Sequence, residues 1–422
     1  MRGFATMPQC VAARTSWFTG RMSKEHGAAT NSFGLNPTIP DLGQWLRDKG
    51  GYETVYTGKW HVNNRDVSKS FRVLAPGPWG GLGTGADLEV TRASVAFLRQ
   101  YTGQKPFFLS AGLINPHDCC YLFGRNGPTK AGFEKKIAGE LPPLPSNFDW
   151  TIARSNQQKA WTEEQWHYYL WGYYRLCEMV DAQIGRIYDE LRHSRFADNT
   201  LFLFTADHGD GAGHHGKTSK GYMFDESWRV PTMAAWPGRI PPSIRDEEHL
   251  ASGVDIPATI CDYAGVEPLP KMTIGKSWKP IFEGRASPWR DYVVGETRIG
   301  ALRTAFRDKT HKTVFYQDGA IVYNMVADPL ETKDLSHTPE GRQVIDRHLQ
   351  YFREYVNRIE PYRGPAIIPR RKEQNVVKAL SAQVTEYVKW YDAVKEGKFN
   401  GILALKRHNE GILGGDGSAD DE

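Results

Sequence analysis

Short apolar runs alternate along the chain with longer stretches of helical period, and the runs end in polar residues able to do chemistry. Phe107-Phe108-Leu109-Ser110-Ala111-Gly112-Leu113 and Thr200-Leu201-Phe202-Leu203-Phe204-Thr205 read as buried strands, because they are apolar on both faces. The first leads into Asn115-Pro116-His117-Asp118 and the second into Asp207-His208-Gly209-Asp210. Between them, residues 162–193 place Trp166, Leu170, Tyr173, Cys177, Val180, Ile184, Ile187 and Leu191 at intervals that make one apolar helical face. That period accounts for the aromatic residues as core packing rather than as a sugar platform. A further helix is predicted over 39–49, with Pro40 near its start and Gly50-Gly51 just past its end. Alternation of this kind predicts an α/β fold, a mostly parallel central sheet flanked by helices, with ligands beyond the carboxyl ends of the strands.

After residue 290 the pattern changes to short alternating strands, Lys312-Thr313-Val314-Phe315-Tyr316 and Ala320-Ile321-Val322-Tyr323, followed by an amphipathic helix over 342–358. The expected organisation is a large α/β unit over 1–290 and a smaller C-terminal α+β unit on a short antiparallel sheet over 291–363. An extension over 364–422 follows, with a disordered acidic Gly/Ser end from Gly414. No internal repeat is seen, which excludes a solenoid.

Composition narrows the function classes. A chain of 422 residues can bury a core without disulfides. Lys and Arg number 53 against 49 Asp and Glu, a formal +4 too small to point to nucleic acid or an anionic membrane. No run reaches a membrane span of roughly 18 to 20 residues, and Met1-Arg2-Gly3-Phe4-Ala5-Thr6 carries no export signal. The five cysteines (Cys10, Cys119, Cys120, Cys177, Cys261) have no spacing that suggests a disulfide framework or a zinc site.

Candidate chemistry begins at Cys10-Val11-Ala12-Ala13-Arg14-Thr15-Ser16-Trp17-Phe18-Thr19-Gly20-Arg21. If the segment after Cys10 is helical, its side chain sits at a helix N-terminus that favours an anion, with Arg14 one turn later facing the same site. In Gly58-Lys59-Trp60-His61, a Lys and a His two apart on an extended segment point to one side. His117 stands at a strand end, where an acid can protonate a leaving alkoxide. Asp207-His208-Gly209-Asp210-Gly211-Ala212-Gly213-His214-His215-Gly216 follows a buried strand, and its carboxylate and imidazole suit a divalent cation. Lys220 and Phe224-Asp225-Glu226-Ser227-Trp228-Arg229-Val230-Pro231 come next.

These blocks, in this order, resemble the formylglycine-dependent sulfatases. Cys10-x-Ala12-x-Arg14 with Thr19-Gly20 is similar to the signature in which Cys is oxidised to formylglycine, whose hydrate supplies the attacking oxygen; Ala12 replaces the commoner Pro. The resemblance implies an alkaline phosphatase-like fold. It implies that Lys59 contacts nucleophile and sulfate, that His61 assists sulfate release, and that His117 binds sulfate or acts as an acid. Lys220 would bind sulfate or protonate the leaving group, and Asp207 and His208 would ligate Ca²⁺, or Mg²⁺ or Mn²⁺. His215 is expected to shape the loop, and Cys119 and Cys120 to line the pocket. Weaker echoes reach residue 336 through Val180-Asp181-Ala182-Gln183-Ile184-Gly185, Asp255-Ile256-Pro257-Ala258-Thr259-Ile260 and Asp328-Pro329-Leu330-Glu331-Thr332-Lys333-Asp334-Leu335.

Expected partners are a sulfated small-molecule or glycan substrate and a formylglycine-generating or anaerobic sulfatase-maturating enzyme, without nucleic acid or membrane. Sulfatases open on an apolar strand ending in two Asp metal ligands. Here nine residues precede Cys10, with no strand read among them and no acidic pair. N-terminal truncation is therefore expected, with strands left unpaired around the gap. A lost export signal would imply a periplasmic or secreted location, and otherwise a cytoplasmic one. Two other readings stand beside a sulfuric ester hydrolase: a phosphodiesterase or phosphonate monoesterase of the same superfamily, and a catalytically inactive sulfatase-like binding protein.

Overall fold

The computed structural model describes residues 1–75, 82–122, 139–155, 161–285, 287–297, 302–368 and 374–399. In chain order its strands are β1 (Arg2–Phe4), β2 (Glu53–Gly58), β3 (Arg72–Val73), β4 (Phe107–Gly112), β5 (Phe202–Thr205), β6 (Arg229–Val230), β7 (Thr232–Ala235), β8 (Leu250–Ser252), β9 (Val293–Thr297), β10 (Arg303–Arg307), β11 (His311–Tyr316) and β12 (Gly319–Asn324). β3, β2 and β4 form a parallel group in that order, with Glu53 to Gly58 in register with Phe107 to Gly112. β5 pairs antiparallel with β7, and β1 lies between β6, antiparallel, and β8, parallel. β9 to β12 make an antiparallel meander. The class is α/β with a parallel centre and a C-terminal antiparallel sheet, as the two textures of the sequence predict.

One expectation fails at the start of the chain. Arg2–Phe4 does form a strand, with Gly3 opposite Val230 on one side and Ala251 on the other. Three residues are too few for alternation to show, and the strand exists because two neighbours offer free edges. Among the described residues β4 pairs with β2 alone and β5 with β7 alone, and both face a cleft of about 620 Å³. β2 is buried from Thr54 to Gly58, whereas Phe107 to Ser110 and β5 are only half-buried. A covered parallel sheet would bury all three.

The long helix is Glu163–His193. Thr162 accepts the Gln165 N–H and the Gln165 side chain accepts the Thr162 N–H, a reciprocal cap that sets where the helix starts. Trp166 and Leu170 are fully buried, and so, nearly, are Ile187 and Leu191. The middle of the same stripe, Tyr173, Cys177, Val180 and Ile184, lines the cleft instead. Core packing therefore accounts for its two ends and not its centre, because the sheet the centre would cover is open there.

C-terminally, helix Pro339–Arg358 covers the meander, and helix Gln374–Lys395 packs beside it. Val384, Tyr387, Trp390 and Tyr391 share one apolar core with Phe306, Phe315 and Phe352, and with Met22, Phe33 and Val254 of the N-terminal unit. Packing thus continues across the composition change at residue 364. The acidic end from Gly414 lies outside the described residues. Polar ties cross the same junction. Glu296, fully buried, accepts the hydroxyls of Tyr355 (2.7 Å), Tyr391 (2.6 Å) and Ser23. Lys312, also buried, donates to Asp225 (2.9 Å), to the Met223 carbonyl (2.7 Å) and to Glu331, which joins two of the motifs picked out in the sequence.

Glu25 sits in this junction and accepts the N–H groups of Met22 (2.9 Å) and Glu360 (3.2 Å). Burial raises its carboxyl from 4.5 to about 7, the two N–H groups opposing and Glu296 adding to the rise. The native form keeps a proton that the unfolded chain releases above pH 4.5, so this group's contribution is full at low pH and declines as pH rises from 4.5 to about 7. Glu25→Gln cannot release that proton. The variant's stability relative to wild type is expected to rise across this window by up to about 3 kcal/mol, read from denaturant unfolding at its two ends. A difference that does not change with pH would contradict the assignment.

Candidate active site

Helix Cys10–Thr19 follows the residues of β1 and places Cys10 at its first position. Gln9, at the N-cap, supplies no side-chain bond; the Val11 N–H is taken by Asn31 Oδ1 at 3.0 Å, from a separate loop. Thr15 and Thr19 bond back to the carbonyls of Val11 and Thr15, and Ser16 meets both Thr6 (2.8 Å) and His26 (3.1 Å). These contacts fix the helix from its inner side and turn Cys10 and Arg14 toward the strand ends.

Arg14 is the hub. Its Nε donates to Asp207 Oδ2 at 2.7 Å, beyond β5, and Nη1 donates to the Lys59 carbonyl at 2.8 Å, beyond β2. The Lys59 N–H in turn meets the Gly112 carbonyl at 2.8 Å, where β4 ends. Gly58 makes this crossing possible: its φ is +88°, and a Cβ there would lie 2.2 Å from the Gly112 oxygen. Cys10 Sγ is then 3.1 Å from His208 Nε2 and 3.8 Å from Lys59 Nζ. His208 Nδ1 faces the Gly209 carbonyl at 2.8 Å, which orients the ring.

The charges are coupled. Burial alone would push the Cys10 thiol up, but Lys220, Lys59 and His208 outweigh it and hold it well below the usual thiol range. Burial would likewise raise Asp207, yet Arg14, His208 and Lys59 hold it well below the usual carboxylate range. For His208 burial favours the neutral ring, and Asp207 and Cys10 reverse that and raise it. The pocket is set to hold an anion at the Cys10 position.

Cys10, Arg14, Lys59, His117, Asp207, His208 and Lys220 line the one cleft, together with Cys119 and Cys120. His61 is not among the residues lining it. β2 ends at Gly58 and His61 takes a left-handed conformation (φ +49°), so the extended alternation expected of Lys59 and His61 does not continue. His215 stacks on Phe224 with ring centroids 3.7 Å apart, and burial lowers it to about 3, which suits a neutral loop-shaping residue. Asn147 holds it by a contact of 3.2 Å to Nε2 and meets His214 Nδ1 at 2.7 Å.

For a cation, the described residues bring Asp207, His208 and Cys10 donor atoms within 4.8 Å of one another. One Asp207 oxygen already takes Arg14, and Ca²⁺ favours six to eight oxygens. Asp207 and His208 fit one side of a coordination sphere and do not complete one for Ca²⁺.

Several residues of the site carried no signal of their own in the sequence. Asp210, in a motif already noted, accepts the Tyr169 hydroxyl (2.8 Å) and the Ala212 N–H (2.8 Å) on the cleft wall. Asp118 directly follows His117 and could have been singled out for that position. Asp87 and Asn31 lie in segments with no recognisable motif, and only the fold brings them in.

The Sulfatase family profile matches residues 2–266, and the profile for the C-terminal part of N-sulphoglucosamine sulphohydrolase matches 213–357. A Delta 4,5-hexuronate-2-O-sulfatase of Bacteroides thetaiotaomicron is 27% identical over 392 residues, covering 83% of this chain and 79% of that protein. An arylsulfatase of Clostridium perfringens is 25% identical over 415 residues, covering 81% and 83%. The structure of a 2-O GAG sulfatase superposes with a TM-score of 0.74 at 24% identity, over 88% of this chain and 89% of the other. A phosphonate monoester hydrolase of Agrobacterium radiobacter shares the fold with a TM-score of 0.63 at 20% identity, over 84% and 87%.

The hub position of Arg14 has a direct consequence. Arg14→Met would remove the nearest cation from the buried Asp207 carboxylate, and the loss is expected to be about 3–5 kcal/mol. Equilibrium unfolding in denaturant measures it. A loss within about 1 kcal/mol, the range of an exposed pair, would show that Arg14 does not hold these strand ends together.

Proposed function

The chain belongs to the sulfatase family and is a sulfuric ester hydrolase, and from that premise we propose that it cleaves sulfate from a sulfated carbohydrate with a nucleophile derived from Cys10. The observation that carries the proposal is the placement of Cys10: first in its helix, 3.1 Å from His208 and 3.8 Å from Lys59, with Arg14 and Asp207 locked behind it. Oxidation of Cys10 to formylglycine would supply, as the hydrate, an oxygen nucleophile more reactive than a serine hydroxyl. Cys10-x-Ala12-x-Arg14 is the segment a formylglycine-generating or anaerobic maturating enzyme would read.

The chain's own residues divide the remaining work. Lys59 and Lys220 neutralise charge that builds on the sulfuryl oxygens. Arg14 holds Asp207 and the Lys59 backbone in place. His208 keeps an anionic nucleophile oriented, its ring fixed by the Gly209 carbonyl. His117, half-buried and lining the same cleft, binds a sulfate oxygen or hands a proton to the leaving alkoxide. A divalent cation would neutralise a further share of sulfate charge, and Asp207 and His208 are the described residues that would hold one side of it. The carbohydrate class is supported by the relative named for a hexuronate sulfate.

The experiment compares matched aryl sulfate and aryl phosphodiester substrates, then sulfated disaccharides, with Ca²⁺, Mg²⁺ or Mn²⁺ added. Mass spectrometry of the residue-10 peptide reports thiol or aldehyde in the same sample. Sulfate is expected to be preferred, and Cys10→Ala to lower kcat/KM by at least about 10³-fold. A strong preference for the phosphodiester would move the chain to the phosphonate monoesterase side of the fold. Aldehyde at residue 10 without turnover of any ester would favour a silent binding protein.

A further inference from the structure

His117 belongs to a loop fastened from two directions. Asp118, the next residue, is buried and turns away from the cleft. Its Oδ1 accepts the Gly83 N–H (2.8 Å), and its Oδ2 accepts both the N–H and the hydroxyl of Thr84 (2.7 Å each). Those N–H groups open helix Gly83–Gln100, where no intrahelical acceptor exists and negative charge is favoured. Leu82, at the N-cap, offers no side-chain acceptor. The helix is therefore capped by the neighbour of His117 rather than by its own preceding residue.

The second fastening runs the other way. Asp87, one turn along the same helix and also buried, accepts the N–H of Ile114 (2.7 Å) and of Asn115 (3.0 Å) in the His117 loop. Asn115 Oδ1 takes the Asp118 N–H at 3.3 Å, closing the circuit. The approach is close enough that a Cβ at Gly83 would lie 2.7 Å from Asn115 Cγ. A single Ser or Asp at the N-cap would satisfy the helix end alone. Two buried carboxylates that cross between the same two segments do more: they set the height and direction of 114–118 beyond β4.

We propose that Asp87 and Asp118 are positioning residues for His117, a reciprocal latch that fixes the point from which its imidazole meets the leaving oxygen of the substrate. The catalytic half rests on the role given to His117 above, whereas the latch itself is a property of the fold. Neither carboxylate needs to touch substrate, since both are spent on backbone N–H groups. Asn at either position keeps one acceptor and turns an amide N–H toward a donor, which loosens the loop with little change in volume.

The test uses the full chain with Asp87→Asn and Asp118→Asn, and two readouts. In protein with isotope-labelled histidine, the His117 ring signal is assigned by its loss in His117→Gln. It is expected to shift or broaden in both Asn variants while those of the buried His26 and His348 stay in place. In turnover, kcat/KM for an aryl sulfate with a poor leaving phenol should fall roughly ten-fold more than for a nitrophenyl sulfate, with KM nearly unchanged. Equal losses on both substrates, or a His117 signal unchanged in a folded variant, would overturn the proposal. If wild type turns over neither ester, the reading of His117 chemistry fails, and the His117 signal alone decides the latch. Should the Asn variants not fold, Thr84→Val, which deletes one donor of the latch, is read in the same way with a smaller shift, and no shift counts against it.

Discussion

One guanidinium holds the working end of this enzyme together. Arg14 ties the Cys10–Thr19 helix to Asp207 beyond β5 and to the Lys59 backbone beyond β2, and Lys59 in turn is bonded to the end of β4. Arg suits the place because a planar fork of donors serves a carboxylate and a carbonyl together and keeps its charge when buried. The cost of burying that charge is offset only because Asp207 is buried with it. The helix that carries Cys10 and the segments that carry Lys59 and His208 are therefore held together by one buried ion pair.

The environment of each group, more than its residue type, sets its charge. Burial would lower His208, and Asp207 and Cys10 reverse that, while burial together with neighbouring cations lowers His26 and His215 to about 3. The first belongs to an anion-holding cluster; the others are neutral scaffolding. The same contrast separates the cysteines: cationic neighbours depress Cys10, whereas burial pushes Cys261 up to about 11. The two thiols are thus told apart by what faces them.

The C-terminal unit is part of this arrangement. Lys312 on β11 holds Asp225 and Glu331, and so clamps the run that follows the Asp207–Gly216 loop to the turn over 328–335. Ser227, in that run, accepts the Gly209 N–H at 2.8 Å, which carries the constraint back to Asp207 and His208. Glu296 and its two tyrosines bind helix Gln374–Lys395 to the helical turn at Ser23. Core and site are continuous through polar bonds as well as apolar packing.

Sequence alone determined the blocks of chemistry, their order, the α/β class, the long helix and the antiparallel tail. Local period and side-chain type are short-range properties, and a strand end followed by Asp-His-Gly or Asn-Pro-His can be read in place. Tertiary structure decided the rest. Three residues at the chain start became a strand because two distant edges were free, and His61 took a left-handed conformation beyond the end of β2 that an extended alternation does not foresee. The centre of the long helical stripe became cleft wall because β4 and β5 do not meet among the described residues. Asp87 acquired its place from a loop 27 residues away in the chain, and Arg14 from a carboxylate 193 away. No local pattern encodes such partners, since a buried carboxylate and a solvated one are written with the same letter until the chain closes around one of them.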